Sequence, residues 1–413
     1  MEPDRITNLP DNVIEGILLH LPMRDAVRTS ILSSKWRYKW ATVPYLVFNK
    51  VFCPFYQNPT DITSKIVSII DRVLVLHFGV IHKFELSHRE FEAVSDIDRW
   101  ILHLSRRSIE NIVLEIWQSE AYKVPSCLFY CQSLTNLELY NCSLKPPSIF
   151  EGFRKLERLD LQNVTLEQDF LENLISSCPN LEILYLADIK GLSRMNVNAP
   201  KLRHFDFDGV LEDISFENTF NLVRVLISFL KNVKNDQCRA LRNSSNLLKI
   251  LVNLPTIKVL KLQEYALKYL AVGIEPHKLP EPHVELKYIS IYINLNNHED
   301  SLTFLCLLST APNLDELEMT AHPEEQTIGG IDTNFWEDGC WNLPFSKLRV
   351  VKITGISGAK PEMDFIKFVL LNSPALERMV VEPVFTSDRW ELVTKLLCFK
   401  RASNQAEIIY KNP

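Results

Sequence analysis

Between residues 109 and 381 the apolar positions of the chain recur in one spacing, Leu-x-x-Leu-x-Leu, with Ile, Val, Phe or Met replacing Leu at some places. The clearest copies are Leu134, Leu137, Leu139; Leu156, Leu159, Leu161; and Leu181, Leu184, Leu186. Others begin at Leu202, Leu222, Ile257, Leu286, Leu314, Leu348 and Leu376, and a first copy reads Ile109, Ile112, Leu114. Successive first positions lie 25, 22, 25, 21, 20, 35, 29, 28, 34 and 28 residues apart. The last two apolar positions of each copy are two residues apart, so they share one face of a short strand. The residues before, between and after them face the other way.

Segments of helical period lie between several of the strands. QDFLENLISSCPN sets Phe170, Leu171, Leu174, Ile175 and Cys178 on one stripe, and LTFLCLLSTAPN and MDFIKFVLLNSPA behave alike. Pro179, Pro312 and Pro374 stop them, because proline cannot continue a helix. A strand, turn and helix repeated at mostly 20 to 29 residues is the leucine-rich-repeat pattern. It predicts a curved, right-handed α/β solenoid with a parallel sheet on its concave face. Two stretches break the rhythm. Lys231–Asn246 is polar and Asn-rich, which predicts an enlarged loop or a partly exposed helix. His322–Ser346 carries five acids and no Lys or Arg, with Trp336 and Trp341, which predicts an acidic loop anchored by its tryptophans or a partner-binding element.

Residues 4 to about 45 form a different unit. A helix starting near Asp11 would carry Val13, Ile14, Ile17, Leu18 and Leu21 on one broad face and end at Pro22. A second helix would run from Arg24 to Leu32, and a third through Trp36 and Trp40, which are four apart. About 40 residues bury too little surface to be robust alone, so a partner's apolar groove is expected. Arg28, Lys35, Arg37 and Lys39, with no acid between Ala26 and Trp40, make a +4 strip suited to an acidic partner.

Composition narrows the function classes. The 413 residues are 46% hydrophobic, and 45 Lys and Arg against 51 Asp and Glu give a net charge of −6. That balance offers no basic footprint for nucleic acid or anionic lipid. Charges at Asp4, Arg5, Asp11 and Glu15 do not fit a secretory signal, and Asp71 and Arg72 interrupt the most apolar stretch, so neither secretion nor a membrane span is expected. The expected location is cytoplasmic or nuclear. Nine cysteines without a CxxC pair then read as reduced, buried thiols, and the sequons at Asn141, Asn163 and Asn243 as unglycosylated. The chain contains no GxxxxGK[ST], GxGxxG, HExxH or GxSxG. No metal, cofactor or catalytic residue is expected.

The N-terminal residues Leu9 and Pro10, Ile14, Ile17, Leu21 and Pro22, Ala26, Ser30, Leu32 and Ser33, then Trp36, Arg37 and Trp40, stand as LP, LP, A, S-x-LS-x-x-WR-x-x-W. This unit resembles the F-box of plant F-box proteins over its full length. KLRVVKITGISGAKPEMDFIKFVLLNSPALERMVVEP, with the late RASNQAEIIY, is similar to the FBD module that follows leucine-rich repeats in the same family. The resemblance divides the chain into an F-box over 1–50, repeats over 51–332 and an FBD module over 333–413 that continues the solenoid.

It further implies the substrate-recognition subunit of an SCF-type cullin-RING ubiquitin ligase, a non-catalytic role in which the F-box docks on a Skp-type adaptor bound to cullin. On that reading Leu9, Pro10, Ile14, Leu21, Pro22 and Trp36 carry adaptor binding, with Arg28, Lys35 and Arg37 around them. The repeats would hold a protein target on the concave face, and Tyr and Arg dominate energetic anchors. Tyr140, Arg158, Tyr185, Arg224, Tyr288 and Tyr292 are therefore the substrate-contact candidates. Two alternatives stay open: an interaction scaffold without ubiquitin transfer, and a small-molecule sensor.

Overall fold

A computed structural model of the chain describes residues 6–49, 59–89, 91, 94–230, 247–270, 282–321, 335–338, 345–384 and 389–411. The chain divides into two compact units, Met1–Leu192 and Ser193–Pro413.

The first unit opens with a helical head. Helix α1 spans Asp11–Leu19 and α2 Met23–Arg28, followed by two 3-10 turns at Thr29–Ile31 and Lys39–Thr42. The expected second helix tightens after Arg28 because Thr29 and Ser30 turn their hydroxyls onto the carbonyls of Ala26 and Val27, each at 2.6 Å. The expected third α-helix is replaced by bonds that reach back three residues, from the Trp36, Lys39, Ala41 and Val43 amides. Trp, Tyr and Ser are weak helix formers, and Pro44 disfavours the α conformation at Val43. Trp36 and Trp40 are nevertheless both buried on the inside of the head.

Six strands then form a parallel sheet: β1 Tyr45–Asn49, β2 Lys83–Ser87, β3 Asn111–Glu115, β5 Asn136–Tyr140, β7 Arg158–Gln162 and β8 Ile183–Ala187. Two short strands, β4 Tyr122–Lys123 and β6 Cys142–Ser143, pair separately. Register aligns the repeat's apolar positions into two buried rows. One is Leu46, Phe84, Ile112, Leu137, Leu159 and Leu184, and the other Phe48, Leu86, Leu114, Leu139, Leu161 and Leu186. Each such side chain contributes roughly 1.5–3 kcal/mol of burial. Helices α3 Pro59–Leu76, α4 Val94–Ser105 and α5 Gln168–Ser176 lie between strands in sequence. Each of the strands β5, β7 and β8 is followed by a left-handed residue, Asn141, Asn163 or Asp188, with φ of 57°, 51° and 49°. Asn and Asp accept that conformation more readily than other residues with a Cβ. Asn163 donates its side-chain amide to Asn141 at 3.0 Å, and Asn141 to the Gln118 carbonyl at 2.7 Å. Two of the three sequon asparagines are thus turn residues, and Asn141 is buried.

The sheet therefore starts two strands earlier than the eleven copies indicated, and β1 lies inside the stretch assigned to the head. In the second unit β10 His204–Gly209, β12 Arg224–Phe229, β13 Val259–Glu264, β14 Tyr288–Ile293, β15 Glu316–Ala321, β16 Val350–Ile356, β17 Arg378–Pro383 and β18 Glu407–Tyr410 pair in parallel. The segments β9 Arg194–Asn198 and β11 Asp213–Glu217 form a separate parallel pair. Parallel pairing runs without a break from β15 through β18, across the proposed FBD boundary.

The acidic segment at 322–346 is described only in part. Phe335–Asp338 forms a short helix whose Trp336 is buried, with ring centroids 5.0 Å from Phe365 and 5.4 Å from Phe368. That agrees with an anchoring tryptophan. Trp341 and the polar stretch 231–246 lie outside the described residues. Among the described residues no helix is long and apolar enough to cross a membrane.

Candidate functional sites

The broad apolar face of α1 divides in two. Ile14 and Leu18 are fully buried, whereas Val13 and Ile17 are 40% and 38% exposed. Farther along the head Ile31 is 87% exposed and Leu32 45%. Large apolar side chains displayed on so small a unit mark an interaction surface. Among the residues expected to contact an adaptor, Pro10 and Pro22 are exposed, Leu9 and Leu21 half-buried, and Arg28 and Arg37 exposed.

Ile14 and Trp36 require a correction, since both are interior. Trp36 is 2% exposed, and its Nε1 donates to the Ile6 carbonyl at 3.1 Å. They hold the head together and could reach a partner only if it opened. Lys35 also turns inward, its Nζ donating to the Leu9 carbonyl at 2.5 Å. Together Lys35 and Trp36 pin the chain that leads into α1. The surface residues that sequence reasoning passed over as contacts are Val13, Ile17, Ile31 and Leu32. A sharper helical projection separates Val13 and Ile17 from Ile14 and Leu18, because each is one residue, about 100°, from its buried neighbour.

The basic strip is neutralised along one flank. Lys39 lies 3.0 Å from Asp11 and 3.8 Å from Glu15, Lys35 lies 3.4 Å from Asp11, and Arg28 lies 3.6 Å from Asp25. Hydrogen bonds from Lys39 and then Lys35 hold the Asp11 carboxyl below its ordinary range. Arg37 is exposed and makes no ion pair with the described residues.

The head joins the sheet through main-chain contacts. Phe78 donates its amide to the Ala41 carbonyl at 3.1 Å, and His82 and Lys83 donate to Pro44 at 2.9 and 3.1 Å. The His77 ring bonds the Val43 carbonyl through Nε2 at 2.9 Å. Gly79 comes so close that a Cβ would sit 2.9 Å from the Thr42 Cα. Arg107 reaches the carbonyls of His77 and Gly79, each at 3.4 Å.

The open face of the first unit's sheet carries a polar ladder and an aromatic stack. Asn136 donates to Asn111 at 2.6 Å and to Glu138 at 2.9 Å, while Arg158 lies 3.4 Å from Glu138 and 2.9 Å from Asp160. Gln162 donates to Asp160 at 3.0 Å. Burial raises the Asp160 carboxyl, and the hydrogen bonds from Gln162 and Arg158 oppose that rise. Beside the ladder Arg89 sits 4.8 Å over the Trp117 ring, which lies 4.4 Å from Tyr140. Trp117 occupies the outward position after Val113 and Glu115, so strand alternation continued past Leu114 would have found it.

The equivalent face in the second unit is knitted around one carboxylate. Glu318 accepts from the Tyr288 hydroxyl and, at 2.5 Å, from Lys352, while Lys261 sits 5.2 Å from the Tyr288 ring. Lys352 and then Tyr288 hold Glu318 below its ordinary range, and burial together with Glu318 pushes the Tyr288 phenol up to about 12. Arg224 pairs with Asp206 at 3.2 Å. Tyr185 and Tyr292 are half-buried on the same side of their strands as the other candidates. All six substrate-contact candidates lie on an open strand face, but Arg158, Arg224 and Tyr288 already serve internal networks.

Burial raises the thiols of Cys131 and Cys142 to about 12 and of Cys178 to about 11, so at neutral pH they are not nucleophiles. Among the described residues no group of three or more His, Cys, Asp or Glu gathers at metal-binding distance.

Comparison with known proteins matches residues 6–48 to the F-box domain and 345–381 to FBD. Residues 97–319 match the repeat model described as FBD-associated F-box protein At5g56370, LRR repeats. The chain is 37% identical over 419 residues to the F-box/FBD/LRR-repeat protein At1g13570 of Arabidopsis thaliana, covering 99% of this chain and 98% of that one. It is 26% identical to the FBD-associated F-box protein At1g66310 of the same plant, covering 99% and 96%. A putative F-box/FBD/LRR-repeat protein, At5g22670, also of Arabidopsis thaliana, is 26% identical, with 98% and 97% covered.

Proposed function

Because the chain belongs to the plant F-box/FBD/LRR-repeat family, whose domains give it a protein-interaction role, we propose that it is the substrate-recognition subunit of an SCF-type cullin-RING ubiquitin ligase. The head docks on a Skp-type adaptor that is bound to cullin, and the open face of the strands holds a protein target. The ubiquitin chemistry belongs to the other subunits. The observation that carries this reading is the divided α1: Ile14 and Leu18 are spent on the head's own core, and Val13 and Ile17 are left uncovered beside it. Uncovered apolar groups beside a satisfied core are what a docking helix offers a partner groove.

The junction supports the same reading. A receptor that positions a target for transfer gains from a fixed distance between its docking head and its binding face. The bonds from Phe78, His82, Lys83 and His77 to Ala41, Pro44 and Val43 make the head continuous with β1 and β2.

Copurification tests the proposal. The full chain should bring down a Skp-type adaptor and cullin, and the assembly should transfer ubiquitin to a captured target. Adaptor without cullin would favour the scaffold reading. Absence of the adaptor would remove both.

A further inference from the structure

Away from the strand face, the first unit contains a groove of about 490 Å³ between the 3-10 turn Ser126–Tyr130 and the loop that precedes β7. We propose that this groove is a second protein-docking site, taking one large apolar side chain from a partner segment whose neighbouring residues are acidic. The inference does not depend on the ubiquitin-ligase reading.

The floor is aromatic and rigid. Phe129 meets Phe150 edge-on at 5.0 Å, and Phe150 meets Phe153 at 5.0 Å. Phe170 of α5 closes on Phe129 at 6.1 Å. Two devices hold the walls apart in a fixed way. Gln132 donates its side-chain amide to the Gly152 carbonyl at 3.2 Å and to the Phe129 carbonyl at 3.4 Å, tying the turn to the loop. Gly152 has φ of 96°, and a Cβ there would fall 2.3 Å from the Ser177 carbonyl oxygen, so only glycine lets the loop press onto the end of α5. The groove is therefore formed before anything enters it, which lowers the cost of binding.

Its lip is apolar and uncovered. Ile149 is 70% exposed and Tyr130 54%, and exposed large side chains around a preformed depression resemble the centre of an interface more than an ordinary surface. The volume lies toward the small end of ligand pockets, about 300–1,000 Å³. It accommodates one aromatic or branched side chain with its flanking backbone, but not a helix about 10 Å across.

Charge selects the neighbours of that side chain. Residues 144–155 carry Lys145, Arg154 and Lys155 against the single acid Glu151, a local charge of +2 in a chain of −6. Glu151 lies 3.7 Å from Arg154, leaving Lys155 on the rim exposed and without an ion pair among the described residues. A partner carrying Asp or Glu beside its apolar anchor would complete that rim, and one carrying Lys or Arg would be repelled.

Phage-displayed random nonapeptides selected on the full chain provide the test, with counter-selection on an Ile149→Asp, Lys155→Glu double variant. Both positions are exposed, so the variant should melt at the wild-type temperature. The expected result is a consensus of one Phe, Trp, Leu or Ile next to Asp or Glu. A synthetic consensus peptide should bind the full chain at least tenfold more tightly than either single variant, and more weakly as salt is raised. No enrichment over the counter-selection, a basic consensus, or equal binding to the variants would overturn the proposal. Adaptor capture should be the same for the wild-type chain and the double variant, and a parallel loss of both would instead mean that the substitutions damage the whole unit.

Discussion

The helical head and the open strand face leave their side chains in opposite conditions. On the head the apolar groups are uncovered: Val13, Ile17, Ile31 and Leu32 face outward beside a core that already holds Ile14, Leu18 and Trp36. On the strand face the polar groups largely satisfy one another, through Asn136, Glu138, Arg158, Asp160 and Gln162 in one unit and Lys261, Tyr288, Glu318 and Lys352 in the other. Uncovered apolar surface gains most of its free energy on contact, whereas a pre-paired polar surface gains little from exchanging partners and penalises those that leave its charges unpaired. The head is built to hold tightly, and the strand face to discriminate.

The largest effect should come from removing the boundary between buried and exposed residues on the head. Trp36→Ala should destabilise the first unit by about 3–5 kcal/mol, the usual cost of truncating a buried Trp. Thermal unfolding would register this, and a melting temperature close to wild type would mean that Trp36 is not part of the core.

A smaller effect is expected on the strand face. Trp117→Ala and Tyr140→Ala remove the exposed stack while leaving the ladder intact, and should reduce target capture about tenfold each, as for aromatic anchors generally. Adaptor capture should be unchanged in the same cells. Equal loss of target and adaptor would erase the proposed division of labour. Substituting Arg158 or Tyr288 should instead lower stability first, because their partners would be left unpaired.

The smallest effect is a pH dependence of the junction. Burial, helped by Arg107, lowers the His77 imidazole below its ordinary range. An unfolded histidine titrates near 6.5, so stability is complete above that pH and falls as the pH drops through the folded value, because the unfolded state takes up the proton first. Melting at pH 7.5 and 5.5 should show that loss, and His77→Gln should reduce the difference. His103 and His283 are lowered by burial as well, so part of the slope should remain. An identical slope in the variant would place the effect elsewhere.

Much of this was legible because repeats average out local ambiguity. Rows such as Leu137, Leu159 and Leu184 could be read from spacing alone, and the parallel sheet followed. The strands β1 and β2 carried the same signal, as Val43, Leu46, Phe48 and Ile81, Phe84, Leu86. They were missed because α3 and its flanking residues set these copies 38 residues apart. Strand β18 gives no such signal, since Gln405 stands where the first apolar residue should be. The head was harder. Its motif fixes which residues occur but not which side of α1 the core occupies, and the packing of Trp36 and Trp40 decides that. The groove beneath Ile149 was illegible, since it depends on Gly152 and Gln132 bringing a turn and a loop together.

Titration calorimetry of a purified Skp-type adaptor against the wild-type chain and a Val13→Asp, Ile17→Asp variant tests the central claim most directly. Both positions are exposed, so the variant should melt as the wild type does. Each charge placed in a desolvated contact should cost at least the roughly 1.4 kcal/mol that corresponds to tenfold, and adaptor affinity should fall a hundredfold or more. Undiminished binding by a folded variant would contradict the claim that the uncovered half of α1 is the docking surface.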